Sequence, residues 1–382
     1  MSYPEVRHSH VKLNNSVTHL VQYGSNESFI KIAHQSSNTE SLETISEQPS
    51  MLSSSSQTNN TTSRSKQDGS ESAVLKQLII FVPGNPGILG IYHDFLVSLY
   101  KTIVKPSVKN SRIAIVAMSH NNFDHPDCCN YDSSDMICIE DKDLDSFERS
   151  KANEYESHNV ELQVLNKLII LRKLIKLDPN RYRVVFIGHS IGCYIILRLL
   201  QDKTVAFSHA GSILIHPALE NLASTKKGTV IARYFNFKVD LAMRFAAYIC
   251  ELLLPNSLRL SLTKRFCSAE FVRFSSEIVL ESIAQLGCSK AVAALVEMAR
   301  SEFKQVLDID HKTLIEPHAS KLRLIYAIGD HWVNVESKQE LLDCYPSLHI
   351  EEQPTLHAFI MDPQVMSDYA IKIGIMVQDC FD

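Results

Sequence analysis

The chain has 382 residues, 45% of them hydrophobic and 21% charged, with a formal net charge of −5. That is enough apolar side chain for one large core, or a core with a subdomain, and far more than a disordered protein carries. The negative balance argues against a general attraction to nucleic acid; nine cysteines, an odd number without a C-x-x-C pair or Cys/His cluster, argue against a disulfide framework or structural zinc and favour a reducing compartment.

The first ten residues, M-S-Y-P-E-V-R-H-S-H, hold no apolar segment of a secretory signal. No run of roughly eighteen or more uncharged apolar residues predicts a membrane span. The C-terminal Val377-Gln378-Asp379-Cys380-Phe381-Asp382 is no prenylation box. Within 1–34, residues 10–33 alternate weakly (His10-Val11-Lys12-Leu13, then Val17 to Tyr23) and predict two short antiparallel strands. Residues 35–72, with Ser53 to Ser56 and Asn59-Asn60-Thr61-Thr62, cannot offset their ordering entropy by burial and read as a disordered polar insertion.

A core then begins, spanning 73–217 and 319–382. Leu78-Ile79-Ile80-Phe81-Val82 and Ile113 to Met118 are short apolar runs of the kind that form central strands, separated by a helix over 90–104. Residues 121–157 are acidic and read as a second insertion loop. Apolar positions at helical spacing fill 158–177, stopped by Asp178-Pro179-Asn180. Strands follow at Tyr182 to Ile187, Ser212 to Ile215, Leu322 to Ile328 and Leu348 to Glu351, with helices at Ile191 to Leu200, 333–344 and 363–378. Alternating buried strands and helices predict an α/β fold, a mostly parallel sheet covered on both faces. Residues 218–318, helical in pattern and too long for a connection, read as an inserted helical cap.

Gly188-His189-Ser190-Ile191-Gly192 directly follows a strand and opens a helix, the context of a nucleophile elbow. The glycines let the chain turn tightly with the serine hydroxyl exposed, and the Ile191 N–H at the helix start suits a developing oxyanion. The acid and base should follow in that order, each on a loop after a strand. Asp330, in Gly329-Asp330-His331-Trp332, and His357, in Leu356-His357-Ala358-Phe359, meet that requirement. Ser190 would be the nucleophile, His357 its general base and Asp330 the group that orients the imidazole. Asp330 could instead cap the following helix, and His331 and His349 are rival bases. Pro83-Gly84-Asn85-Pro86-Gly87 follows the first central strand, where a second oxyanion donor is needed; the prolines have no N–H, which leaves Asn85 as the choice over a plain rigid turn. This chemistry needs no metal or organic cofactor.

The segments F-V-P-G-N-P-G-I-L-G-I-Y-H-D-F, I-G-H-S-I-G-C-Y and L-H-A-F-I, together with H-P-A-L-E-N-L-A-S-T-K-K-G-T and G-D-H-W, resemble the lipid droplet-associated hydrolase family of α/β-hydrolases over roughly 75–375. The resemblance implies an α/β-hydrolase fold and a serine hydrolase on the cytosolic face of lipid droplets and the endoplasmic reticulum. It also implies a role in cholesteryl ester or acylglycerol turnover, with Ser190, Asp330 and His357 as catalytic residues. The insertions depart from the family, as does a cap interrupted by Asp240, Arg244 and Glu251. The expected function is hydrolysis of a lipid carboxylic ester through an acyl-enzyme; the alternative is a droplet-surface organising protein with little hydrolytic activity. Residues 231–254 read equally as a packed lid and as a peripheral lipid-binding surface, with Tyr234, Phe235, Phe237, Phe245, Tyr248 and Leu252 to Leu254 toward lipid and Arg233, Lys238 and Arg244 reaching for phosphate.

Overall fold

The structure is a computed structural model that describes residues 4–13, 16–25, 29, 75–104, 113–123, 136–139, 144–154, 158–234, 237–333 and 335–382. The polar tract 35–72 lies outside the described residues. At the N-terminus, β1 (Glu5–Leu13) and β2 (Ser16–Gly24) pair antiparallel, beginning five residues earlier than the alternation at His10 suggests. Then come β3 (Lys76–Val82), a 3-10 turn at Leu89–Tyr92, α1 (His93–Ile103), β4 (Ile113–Met118), β5 (Met136–Ile139), α2 (Ser146–Glu154) and α3 (Val160–Ile169). The core continues with β6 (Tyr182–His189), α4 (Ile191–Gln201) and β7 (Ser208–Ile215).

Seven helices then fill the path to the next strand: α5 (Lys226–Tyr234), α6 (Phe237–Leu253), α7 (Asn256–Phe266), α8 (Ala269–Phe274), α9 (Glu277–Gln285), α10 (Ser289–Gln305) and α11 (His311–Leu314). The chain returns through β8 (Leu322–Ala327), α12 (Val335–Cys344), β9 (His349–Gln353) and α13 (Pro363–Phe381).

The nine strands form one sheet in the order β5-β1-β2-β4-β3-β6-β7-β8-β9, parallel from β4 to β9. Residues Leu78 to Val82 and Val184 to Ile187 are fully buried, as strands covered on both faces must be. Helices α1 and α13 pack together against the sheet, and α3 and α4 form a second pair. Gly374 permits the first contact, because a Cβ there would lie 2.6 Å from the Thr102 methyl.

The 121–157 segment is not the loop expected from its acidity. Its β5 pairs parallel with β1 at the sheet edge, burying Ile137 and Ile139 on one side. Its α2 is held by Glu148, buried against Arg172 and 3.2 Å from Lys173 Nζ. Two isoleucines in a four-residue strand give too short an alternation to stand out, and the neutralising cations lie elsewhere in the chain.

Behind the β3–α1 loop lies a fully buried cation, Lys167, whose Nζ donates to Ser119 O at 3.0 Å and to His120 Nδ1 at 3.2 Å. Burial lowers its pKa from 10.5 to about 7. The unfolded chain therefore binds the proton more tightly, and this group makes stability rise with pH between those two values. Below about 7 both states are protonated and the penalty is at its largest. Lys167→Met should thus gain on the wild type most at about pH 6 and less at about pH 9.5. Denaturation midpoints at the two pH values measure this; a difference independent of pH would mean that the lysine is not buried in the charged form at low pH.

Candidate active site

Between β6 and α4 the chain reverses within one residue. Ser190 adopts φ 54° and ψ −123°, a conformation that costs a non-glycine residue about 1–3 kcal/mol. It is held by Ser190 N–H donating to Ile215 O at 3.0 Å and by Cys193 N–H donating back to Ser190 O at 3.0 Å. Gly192 is obligatory here, since its Cβ would lie 2.3 Å from Val82 O and 2.5 Å from Pro83 O, which are backbone atoms that cannot give way. Gly188 likewise lies under α4, where a Cβ would meet Cys193 N at 2.9 Å.

His357 reaches this turn from the loop after β9, and Asp330 from the loop after β8. His357 Nε2 is 2.9 Å from Ser190 Oγ, and its Nδ1 is 2.6 Å from Asp330 Oδ2. An ionised carboxylate only accepts, so Nδ1 carries the proton and Nε2 is left to accept from the serine hydroxyl. Asp330 Oδ1 accepts from Trp332 N–H at 2.8 Å, so a local capping contact and the histidine contact use different oxygens. Burial acts to raise the Asp330 pKa, but the hydrogen bond and charge of His357, the Trp332 N–H and His216 outweigh it and hold the carboxyl below its ordinary range. The rivals lie elsewhere: His331 is exposed, and His349 turns to Glu351 at 2.8 Å on the surface of β9.

Two further histidines support the site, one of them outside the sequence reading. His189 Nε2 and His216 Nδ1 both donate to the backbone carbonyl of His357, at 2.9 and 2.7 Å. Their other ring nitrogens accept from Tyr92 OH at 2.7 Å and Tyr369 OH at 2.9 Å. Each ring is thereby fixed as one neutral tautomer. Burial keeps His189 well below the ordinary histidine range and His216 at about 4. His216 gave no motif beyond a strand-ending His-Pro and Tyr369 none at all, while Tyr92 lies in the quoted F-V-P-G-N-P-G-I-L-G-I-Y-H-D-F segment without a role of its own.

The β3–α1 loop lies against the elbow, with the Cβ position of Gly84 3.0 Å from Ser190 Cβ. Gly84 N–H is engaged by Tyr92 OH at 3.1 Å. Asn85 donates its side-chain amide to Leu295 O at 3.3 Å and Glu302 Oε1 at 3.0 Å, both on α10. Ile191 opens α4 beside the serine.

These groups meet in a cavity of about 350 Å³, whose walls include Ser190, His357 and Asn85 with apolar Ile283, Leu295 and Phe303 from the helices above. A second hollow of about 290 Å³ between α7 and α9 contains none of these residues. The arrangement offers a hydroxyl, a base to take its proton and an anion to orient the base, in an apolar chamber.

Comparison with known proteins agrees with this architecture. The chain is 27% identical over 287 residues to the lipid droplet-associated hydrolase of Gallus gallus and 25% identical over 293 residues to that of Homo sapiens; each alignment covers 75% of this chain and 80% of the relative. Among solved structures it is similar in fold to the peroxisomal α/β-hydrolase Lpx1 of Saccharomyces cerevisiae, with TM-score 0.51 and 12% identity over 99% of this chain and 91% of that one. The fold is thus that of the α/β-hydrolases, with a mostly parallel sheet and helices on both sides. The model of the lipid-droplet associated hydrolase family matches residues 75–360, and the chain belongs to that family.

Proposed function

We propose that the protein is a serine carboxylic ester hydrolase whose substrate is a lipid ester of the cholesteryl ester or acylglycerol class. The observation that carries the reading is the hydrogen-bonded series Ser190–His357–Asp330 opening into an apolar cavity. Ser190 Oγ attacks the ester carbonyl carbon as His357 Nε2 takes its proton. The oxyanion formed accepts from the N–H groups of Ile191 and Asn85. On collapse the alcohol leaves with the proton from His357, and an acyl-serine remains. Water, deprotonated by the same nitrogen, then releases the fatty acid and restores the serine. Asp330 keeps the imidazole in the required tautomer throughout.

The second part of the reading is that the cap helices dock on a lipid droplet or endoplasmic reticulum surface from the cytosolic side. Among the described residues no single helix is long and apolar enough to cross a membrane, and the attachment in this reading is peripheral. Asp240 of α6 turns inward to Arg300 at 2.7 Å and to Arg244 at 2.6 Å, and Glu251 accepts from Ser289. Leu241, Phe245, Tyr248 and Leu252, spaced three or four apart, form an exposed stripe on the same helix, extended by Leu253; Phe266, at the end of α7, is also exposed. Arg244 does not reach for phosphate as its sequence position suggested; it binds Asp240 and Glu297. Phe235 lies outside the described residues.

Three outcomes test the proposal. A fluorophosphonate probe should label the wild type, and Ser190→Ala should lose the label while keeping the wild-type circular dichroism. Absence of label on the folded wild type would favour the droplet-organising alternative. Asp330→Asn should keep the fold and lose on the order of a thousandfold or more in ester hydrolysis, because the wrong tautomer is then favoured; near-full activity would mean the carboxylate is misassigned. In flotation with artificial droplets, the wild type should float and a Phe245→Asp, Leu252→Asp variant should stay behind. Equal flotation of the two would place attachment outside α6.

A further inference from the structure

The cavity beside Ser190 is apolar except for a few groups that face one another across the seam between cap and core. Among the described residues Glu302, on α10, is the one carboxyl in its wall, and no lysine or arginine lines it. The residue is buried, and Oε1 accepts from Asn85 Nδ2 at 3.0 Å. Among the described residues nothing neutralises it: burial alone raises its pKa to about 8, opposed by the Asn85 hydrogen bond. Burial thus favours its protonated form over the carboxylate. With Oε1 occupied as an acceptor, its hydroxyl is a donor available to the cavity. The neighbouring Asn85 Oδ1 is buried and has no partner among the described residues. A buried acceptor without a donor is a costly arrangement that a bound group can relieve. Asn85, Glu302 and Ser190 all line this cavity, and Asn85 follows Gly84, whose Cβ position is 3.0 Å from Ser190 Cβ.

An alcohol both accepts and donates, and is the simplest group that answers both needs. We propose that Glu302 and the Asn85 side chain form a hydroxyl subsite in the cavity that Ser190 opens into. The preferred substrates are then lipid esters that keep a free hydroxyl near the ester, as mono- and diacylglycerols do, over fully esterified lipids. This rests on the ester-hydrolase reading and narrows its substrate class. A site built to bind a hydroxyl discriminates against ligands that lack one, because its polar groups would then be buried without partners.

The test measures binding apart from turnover. A 1-O-alkylglycerol and the methyl ether of the same alkyl chain, neither of which can be hydrolysed, are compared for protection of Ser190 from a fluorophosphonate probe. The glycerol ether should protect the wild type at about tenfold lower concentration, the size expected when hydrogen bonds to a ligand are made or lost. Glu302→Leu should erase that preference, while Glu302→Gln, which keeps a donor and an acceptor, should retain most of it. Equal protection by the two ethers in the wild type overturns the subsite, as does a preference that survives in Glu302→Leu. If Glu302→Leu does not fold, the wild-type comparison together with Glu302→Ala decides on the same criteria. If the wild type is not labelled at all, the hydrolase reading fails. The subsite is then judged by the melting-temperature shifts that the same two ethers produce, and equal shifts overturn it.

Discussion

The reversal of the backbone at Ser190 is the constraint from which the site follows. A strand can pass into a helix in a single step only if one residue takes a positive φ and the next turn lies hard against the neighbouring strand. Here Ser190 takes the conformation, and Gly192 takes the contact with the Val82 and Pro83 carbonyls. Burial of Ile191, Cys193, Ile195 and Ile196 along α4 holds the turn in place. The same contact seats the loop after β3 beside the serine, so the approach of Asn85 follows from the absence of a side chain at Gly192 and Gly84.

The histidine reaches the serine from a loop, and its position depends on groups from four other segments of the chain. Its carbonyl accepts two ring N–H groups, and each of those rings is fixed by a tyrosine hydroxyl. Three imidazoles lie close together, with centroids 5.3 and 5.8 Å from that of His357. They could not all be cations. Burial removes that option from His189 and His216, and only His357 has a carboxylate against its ring. Of the three rings, His357 is the one within hydrogen-bond reach of the Ser190 hydroxyl. The neutral rings act as rigid donors, which makes them suited to holding a backbone carbonyl.

The cap divides its charges from its apolar surface by helical phase. Asp240, Arg244 and Glu251 face α10 and its N-terminus, where Arg300, Glu297 and Ser289 meet them. Leu241, Phe245 and Leu252 are each one residue further on and, with Tyr248, face outward. The charges that interrupt the apolar sequence of α6 are therefore internal links between cap helices. The same α10 carries Glu302 down to Asn85, so the helix that braces the outer surface of the cap also reaches the cavity wall.

Much of this was legible in the chain because it is local. Five-residue apolar runs such as Leu78 to Val82 leave few alternatives to a buried strand, and a Gly-x-Ser-x-Gly turn between strand and helix has a single geometric reading. Asp330 and His357 could be picked out because each follows a strand, and the loops at one end of a parallel sheet converge. What the chain could not show was partnership across elements. β5 carries two isoleucines amid aspartates, and its place at the sheet edge depends on β1, more than a hundred residues earlier. His189 and His216 have no spacing in common with Tyr92 and Tyr369, yet the two histidines share the His357 carbonyl and each is held by one of the tyrosines. Glu302 reads as an ordinary exposed helix residue, one of several charges on α10. Sequence periodicity determined which residues lie on one face of a strand or helix, and the motif located the serine at the strand-to-helix turn. Only the tertiary structure decided which faces meet, and with them the tautomers, the buried charges and the polar wall of the cavity, because those depend on distances between segments far apart in the chain.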